Sequence, residues 1–373
     1  MKLYFQIFFS FLFASGLWIG CSANTSGASG DSGTDAGRDG DVDPDNPDEG
    51  DMPQDLPALC QADIVQASAS EQSDVVDGND KGSSRFSDIG FGGDAVMTWD
   101  YFENYNLPDP SAVWEIQVTP YVPAALQDGG VDGGTGGAQP GPIQNPFTAG
   151  PVSKKPAIAG RSNGYGVVWL DGRWDSGCAA EDIVNCNMEV AFARVDAAGN
   201  PLDGSTPTRI TSTPLSKVID RPDIAATDSG WILVWIEMDS TGTRVVSVAL
   251  NQEGAAVGSP RVLSPEPDVE NTGMPAVAAV GNVAVVVWGV MNQQKILARV
   301  LNQLGEPQNS TPTLLDEGTL CVTPRIAGGN SGFLVSWSKM RGVDQEVFTR
   351  RLDAAGSPLD EPRRITWTPE NVS

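Results

Sequence analysis

Apolar residues fall in short, nearly unbroken blocks that end in tryptophan, as in Tyr165-Gly166-Val167-Val168-Trp169 and Val283-Ala284-Val285-Val286-Val287-Trp288. Blocks of this length without alternation read as β-strands buried on both faces. Thirteen residues before each such Trp stands a Pro followed by a small apolar motif: Pro156-Ala157-Ile158-Ala159 before Trp169, Pro222-Asp223-Ile224-Ala225 before Trp235, Pro275-Ala276-Val277-Ala278 before Trp288, and Pro324-Arg325-Ile326-Ala327 before Trp337. A fixed interval of this kind is the mark of a repeat architecture.

Each unit goes on to a second strand that closes in a turn: Val195-Asp196-Ala197-Ala198-Gly199, Leu250-Asn251-Gln252-Glu253-Gly254, Leu301-Asn302-Gln303-Leu304-Gly305 and Leu352-Asp353-Ala354-Ala355-Gly356. Asp or Asn opens the turn because its side chain can accept from the backbone two residues on, and Gly closes it where φ is positive. A short β stretch follows, Thr208-Arg209-Ile210-Thr211 in one unit and Arg364-Ile365-Thr366-Trp367 in the last. Upstream, Phe86-Ser87-Asp88-Ile89 leads to Trp99 at the same interval with Phe in place of Pro, a worn fifth unit whose second strand runs from Val113 to Tyr121. The pattern predicts an all-β, β-propeller-like fold of about five four-stranded blades, with repeats near 86–150, 156–213, 222–265, 275–316 and 324–368 inside a domain spanning 60–373. Residues 128–150, rich in Gly, are expected to be a mobile loop.

The N-terminal sixty residues break this pattern. One charge, Lys2, precedes an apolar run from Leu3 to Ile19, which is short for a bilayer span. The run ends in Leu17-Trp18-Ile19-Gly20-Cys21, which resembles a bacterial lipobox. The resemblance implies a signal peptide over 1–20 and lipidation of Cys21, and Ser22 resembles the residue that follows the cysteine in outer-membrane lipoproteins. From 21 to 59 the chain holds ten acids against Arg38 and almost no large apolar residue, so it is expected to be a disordered, self-repelling tether. Asp39, Asp41, Asp43 and Asp45 alternate as calcium-loop ligands do, but without the turn glycine or the closing Glu, so weak Ca2+ binding is the most they suggest and no other cofactor is expected. The repeats resemble those of bacterial envelope lipoproteins with propeller-like repeats, which implies fold and an outer-membrane, lipid-anchored location.

Composition narrows the chemistry. The formal net charge of −25 argues against nucleic acid as a partner, and the absence of histidine removes every triad or metal site built on imidazole. Beyond Cys21 four cysteines remain, an even number suited to disulfides in an oxidising compartment. Four thiols allow three pairings; a local Cys178–Cys186 bridge leaves Cys60 and Cys321 to fasten the start of the domain to its last blade.

The polar residues just beyond each Trp are the candidates for a binding face: Tyr101 and Glu103, Asp171 and Arg173, Glu237 and Asp239, Lys339 and Arg341. Pairing within the segment, as of Asp171 with Arg173, is the simpler use for such acids, and no catalytic motif is legible. The expectation is therefore a non-catalytic binding or structural module facing a protein or glycan ligand, not an enzyme. The alternative is a glycan-active hydrolase using carboxylates such as Asp171 and Glu237 on one face of the propeller.

Overall fold

The computed structural model describes residues 83–91, 95–102, 114–122, 139–140, 142–148, 150–178, 186–264, 272–290, 293–319, 321–342 and 344–366. They form five antiparallel sheets of four strands, each in chain order. Blade 1 comprises β1 (Ser83–Phe91), β2 (Ala95–Phe102), β3 (Trp114–Val122) and β4 (Gln139–Pro140). Blade 2 comprises β5 (Ser153–Arg161), β6 (Gly164–Asp171), β7 (Glu189–Val195) and β8 (Thr208–Arg209). Blade 3 follows as β9 (Val218–Thr227), β10 (Gly230–Asp239), β11 (Gly242–Asn251) and β12 (Ala256–Val262). Blade 4 holds β13 (Thr272–Val280), β14 (Val283–Val290), β15 (Lys295–Leu301) and β16 (Thr313–Glu317), and blade 5 holds β17 (Val322–Gly329), β18 (Gly332–Arg341), β19 (Asp344–Leu352) and β20 (Arg363–Arg364).

The unbroken apolar runs are explained by what lies on either side of each second strand. Val167 and Trp169 of β6 pack toward blade 1, while Val168 and Leu170 pack toward blade 3. Likewise Leu233 and Trp235 of β10 face blade 2, and Ile232, Val234 and Ile236 face blade 4. Trp169, Trp235 and Trp288 are fully buried and Trp337 nearly so, each removing roughly 200 Å² from water, worth up to about 5 kcal/mol at ~25 cal/mol/Å². They anchor cores and form no ligand-stacking ring.

The turns take the predicted form. Asn251 Oδ1 accepts from Glu253 N at 3.1 Å and Ala255 N at 2.8 Å, and Asp196, Asn302 and Asp353 do the same in their blades. Gly254 has φ 84°, and a Cβ there would lie 2.5 Å from Phe192 Cε1 of blade 2. The glycine thus serves the turn and the close approach of one blade to the one before it.

Four apolar cores join blades 1 to 2, 2 to 3, 3 to 4 and 4 to 5. Blade 5 differs on its far side: Phe333, Val335 and Trp337 are buried against blade 4, whereas Leu334, Ser336 and Ser338, which point the other way, are only half-buried. No fifth apolar core joins blade 5 to blade 1 among the described residues.

The segment expected to be a loose loop needs correction in its second half. Gln139 and Pro140 supply the outer strand of blade 1, Gln144 exchanges backbone bonds with Val118 at 2.8 and 3.0 Å, and Phe147 stacks on Trp169 at 4.7 Å. A single aromatic residue outweighs the Gly-rich composition around it. Residues 1–82, with the signal, Cys21, the tether, the Asp39 to Asp45 motif and Cys60, lie outside the described residues.

Candidate active site

The first strand of each blade is its innermost. β1 packs on β5, β5 on β9, β9 on β13, and β13 on β17, so these strands surround the axis of the molecule. Each of the last four carries a register shift at the residue before its repeated proline. Lys155, Arg221, Met274 and Thr323 occupy those positions with φ of 55°, 56°, 26° and 51°. Positive φ is costly for a side-chain-bearing residue, and the bulge is stabilised by proline, which has no N–H to give to the interrupted ladder. In blade 1 the shift falls between Ser84 and Ser87 without a proline.

Asp88, Ala157, Asp223, Ala276 and Arg325 stand at one level of the five inner strands, each opposite the residue that precedes its blade's Trp. Two of these reach to the neighbouring blade. Asp88 accepts from its own strand at Ile89 N (2.9 Å) and from blade 2 at Ile158 N (2.8 Å). Asp223 accepts from Ile224 N (2.9 Å) and from blade 4 at Val277 N (2.9 Å). Burial pushes the Asp88 carboxyl up to about 7, helped by the charge of Asp223, against the lowering pull of its two backbone donors and Arg325. Burial likewise lifts Asp223 to about 6 against its backbone donors and Arg325. Asp88, Asp223 and Arg325 thus stand on the inner strands of blades 1, 3 and 5. At the mouth above them Lys155 pairs with Asp220 of blade 3, and its N–H donates to Asp100 Oδ2 of blade 1 at 3.2 Å.

The candidates read from the sequence have other work. Asp171 is fully buried; it accepts from Trp169 Nε1 at 2.8 Å, from Ser153 Oγ at 3.1 Å, and from Arg173 Nε and Nη2 at 2.9 and 2.7 Å. Glu237 accepts from Trp235 Nε1 at 3.3 Å and from Lys217 Nζ at 2.6 Å. Blade 5 takes its acid from blade 4: Asp316 of β16 accepts from Trp337 Nε1 at 2.9 Å and from Lys339 Nζ at 3.0 Å. In blade 1 Gln117 Oε1 takes Trp99 Nε1 at 2.8 Å. A buried indole N–H needs an acceptor, and a buried acceptor that is charged needs a cation, so the acids two residues beyond Trp169 and Trp235 complete their blades. Asp239 accepts from Arg244 at 2.8 Å and from Thr241, which together hold its carboxyl below the ordinary range. Arg341 is exposed at the end of β18. Tyr101 lies in β2 opposite Glu115, and Glu103 is outside the described residues. The structure brings these residues together within blades and does not converge them on a shared cleft.

Asp88, Asp223 and Arg325 were in plain view within the repeat but not singled out. Asp223 and Arg325 take the second place of a motif that carries Ala157 and Ala276 in other blades, and Asp88 stands one place further on in its own. Among the cysteines, Cys178 and Cys186 are disulfide-bonded as expected. Cys321 is a buried thiol whose pKa burial pushes up to about 11, and its expected partner Cys60 lies outside the described residues.

No protein-family model matches the chain, and no curated protein matches it. Solved structures do. A GH43 endo-arabinanase from Bacillus licheniformis is 16% identical over 73% of this chain and 95% of that one, with a TM-score of 0.39. An α-L-arabinanase from Penicillium chrysogenum, complexed with arabinobiose, is 13% identical over 76% and 81%, with a TM-score of 0.46. A GH43 enzyme from Xanthomonas citri, complexed with xylotriose, is 10% identical over 74% and 89%, with a TM-score of 0.39. These neighbours are glycoside hydrolases, against the expectation of a non-catalytic module and of a chain that is not an enzyme; the likeness itself shows the fold. No residue role is carried over from them; the chemistry rests on this chain's own carboxyls.

Proposed function

We propose that the chain is a glycan-active hydrolase whose acid and base are Asp88 and Asp223. The observation that supports this reading is the pair of carboxyls on inner strands of different blades, held near the axis and titrating at about 7 and about 6. Glycoside cleavage by two carboxyl groups needs one protonated and one ionised at the working pH. Near pH 6.5 Asp88 is the group still carrying a proton, to be given to the departing glycosidic oxygen. Asp223 is the group already ionised, to activate water or attack the sugar carbon. The backbone donors of Ile89, Ile158, Ile224 and Val277 fix both carboxyls in place without side-chain motion. The post-Trp acids Asp171 and Glu237 take no part, because Trp and a cation already occupy them.

The proposal includes the address. Lipid on Cys21 would hold the enzyme at the outer membrane, and the acidic segment to residue 59 would stand it off the bilayer toward envelope or incoming glycans. Reducing-sugar release from a panel of cell-wall polysaccharides, by the mature protein and by Asp88→Asn and Asp223→Asn, tests the chemistry. Turnover lost in each variant with folding intact is expected; no release by the wild type from any polysaccharide overturns it. Intact mass of the membrane-fraction protein with and without Cys21→Ala tests the anchor.

A further inference from the structure

At the level of Asp88 and Asp223, the two carboxylates are largely satisfied. Each has both oxygens on backbone N–H groups. The fifth inner strand offers the opposite: Arg325 is exposed, and the hydrogen bond its guanidinium makes is from Nη1 to its own neighbour Pro324 O, at 3.2 Å. A guanidinium has five N–H donors in a planar fork, so most of its capacity is open. At the corresponding position in blades 1 and 3 the side chain bridges to the next blade. Among the described residues Arg325 makes no such bridge, its hydrogen bond going to Pro324 O, and no apolar core joins blade 5 to blade 1. At this level of the inner strands the open group is therefore the Arg325 guanidinium, while the oxygens of both acids are already engaged.

From this arrangement we infer that the substrate is an acidic glycan, one that carries a uronic acid residue whose carboxylate is received by the Arg325 fork. This rests on the hydrolase reading and adds to it the class of sugar. A planar guanidinium matches a carboxylate through two parallel N–H···O bonds, whereas a neutral sugar hydroxyl uses one donor and leaves the rest unmet. The flanking acids limit the charge that can enter. A single carboxylate against Arg325 is accommodated, while a dense polyanion such as a phosphate or sulfate chain would meet Asp223 and Asp88 as well. The strongly acidic chain as a whole does not prevent this, because charges beyond a Debye length of about 8 Å are screened at physiological salt.

The test uses the mature full-length protein and a matched pair of probes that differ in the carboxylates: trigalacturonate and galactotriose. Binding is measured by calorimetry for the wild type, Arg325→Gln and Arg325→Lys, with thermal melts to verify folding. The expected result is trigalacturonate bound at least tenfold more tightly than galactotriose by the wild type, that preference lost in Arg325→Gln, and partly kept in Arg325→Lys. Equal affinity for the two probes, or a preference undiminished in Arg325→Gln, overturns the inference. The two readings fail separately. If trigalacturonate binds through Arg325 but no uronic-acid glycan is cleaved, the inference stands and the hydrolase reading falls. If neutral glycans are cleaved with Arg325→Gln as active as wild type, the hydrolase reading stands and this one falls.

Discussion

Replacing Asp171 by alanine separates the structural use of the post-Trp acids from a catalytic one. The carboxylate is fully buried and serves four groups: the Trp169 indole, the Ser153 hydroxyl, the Arg173 backbone N–H and its guanidinium. Removing it strands a buried indole N–H, at about 1–3 kcal/mol, and leaves the Arg173 side chain, only 15% exposed, without its anion. Breaking a buried pair from one side costs about 3–5 kcal/mol, and we expect the total to fall in that range because the stranded groups share one cavity. For a domain of this size the melting temperature moves about 2 °C per kcal/mol, so Asp171→Ala should melt roughly 6–10 °C lower. Asp239→Ala, in a turn pair nearer the surface, should lower the melting temperature by less than Asp171→Ala does. Differential scanning calorimetry measures both, and turnover at a temperature where the variant is folded should stay within about twofold of wild type. A shift below about 2 °C for Asp171→Ala, or turnover abolished in a folded variant, would refute the assignment of this acid to the blade core.

Further outcomes follow from the same structure. Turnover should follow a narrow bell in pH, rising as Asp223 ionises near 6 and falling as Asp88 ionises near 7; a flat profile from 5 to 9 would remove both from the chemistry. Asp88 has a raised carboxyl, so the folded state holds its proton longer than the unfolded one, and its contribution to stability falls as pH rises from about 4 to about 7. The melting temperature of Asp88→Asn should therefore gain on that of the wild type between pH 5 and pH 8, and a constant difference would contradict the burial of that group. Gly254→Ala, where a Cβ would meet Phe192 at 2.5 Å, should cost about 2–4 kcal/mol by the positive φ and the clash together. Gly204→Ala, also at φ 84° but with nothing within 4 Å, should cost about 1 kcal/mol, and denaturant titration of the two compares them. Opening the Cys178–Cys186 bridge, which spans 8 residues, with the double serine variant should cost about 2 kcal/mol, read by the same titration.

The fold was legible because its signals are local and repeated. The interval from Pro156 to Trp169 is one inner strand, a two-residue hairpin and half of the next strand, and it recurs wherever that unit recurs. Asn251 and Gly254 specify their turn within five residues of chain. The site was hidden for the opposite reason. Asp88, Asp223 and Arg325 come together only through closure of strands far apart in sequence, and along the chain each looks like one polar residue in an apolar motif. Asp171 and Glu237 misled in the reverse sense, since a carboxylate two residues after Trp is conspicuous in sequence and spoken for in space. Phe147 shows a third limit, for one ring in a Gly-rich stretch does not change its composition but decides its packing against Trp169.

Five blades joined by four apolar cores among the described residues behave energetically as a row. In a row each unit is held by its neighbours, interior units by two and terminal ones by one. Blade 5, with Ser336 and Ser338 on its outer side, should open before blades 2, 3 and 4 in native-state hydrogen exchange, and opening would proceed inward from that seam. Arg325 lies on this same fraying end, so a ligand that engages it across the seam would act as the missing fifth joint and convert the row into a closed circle.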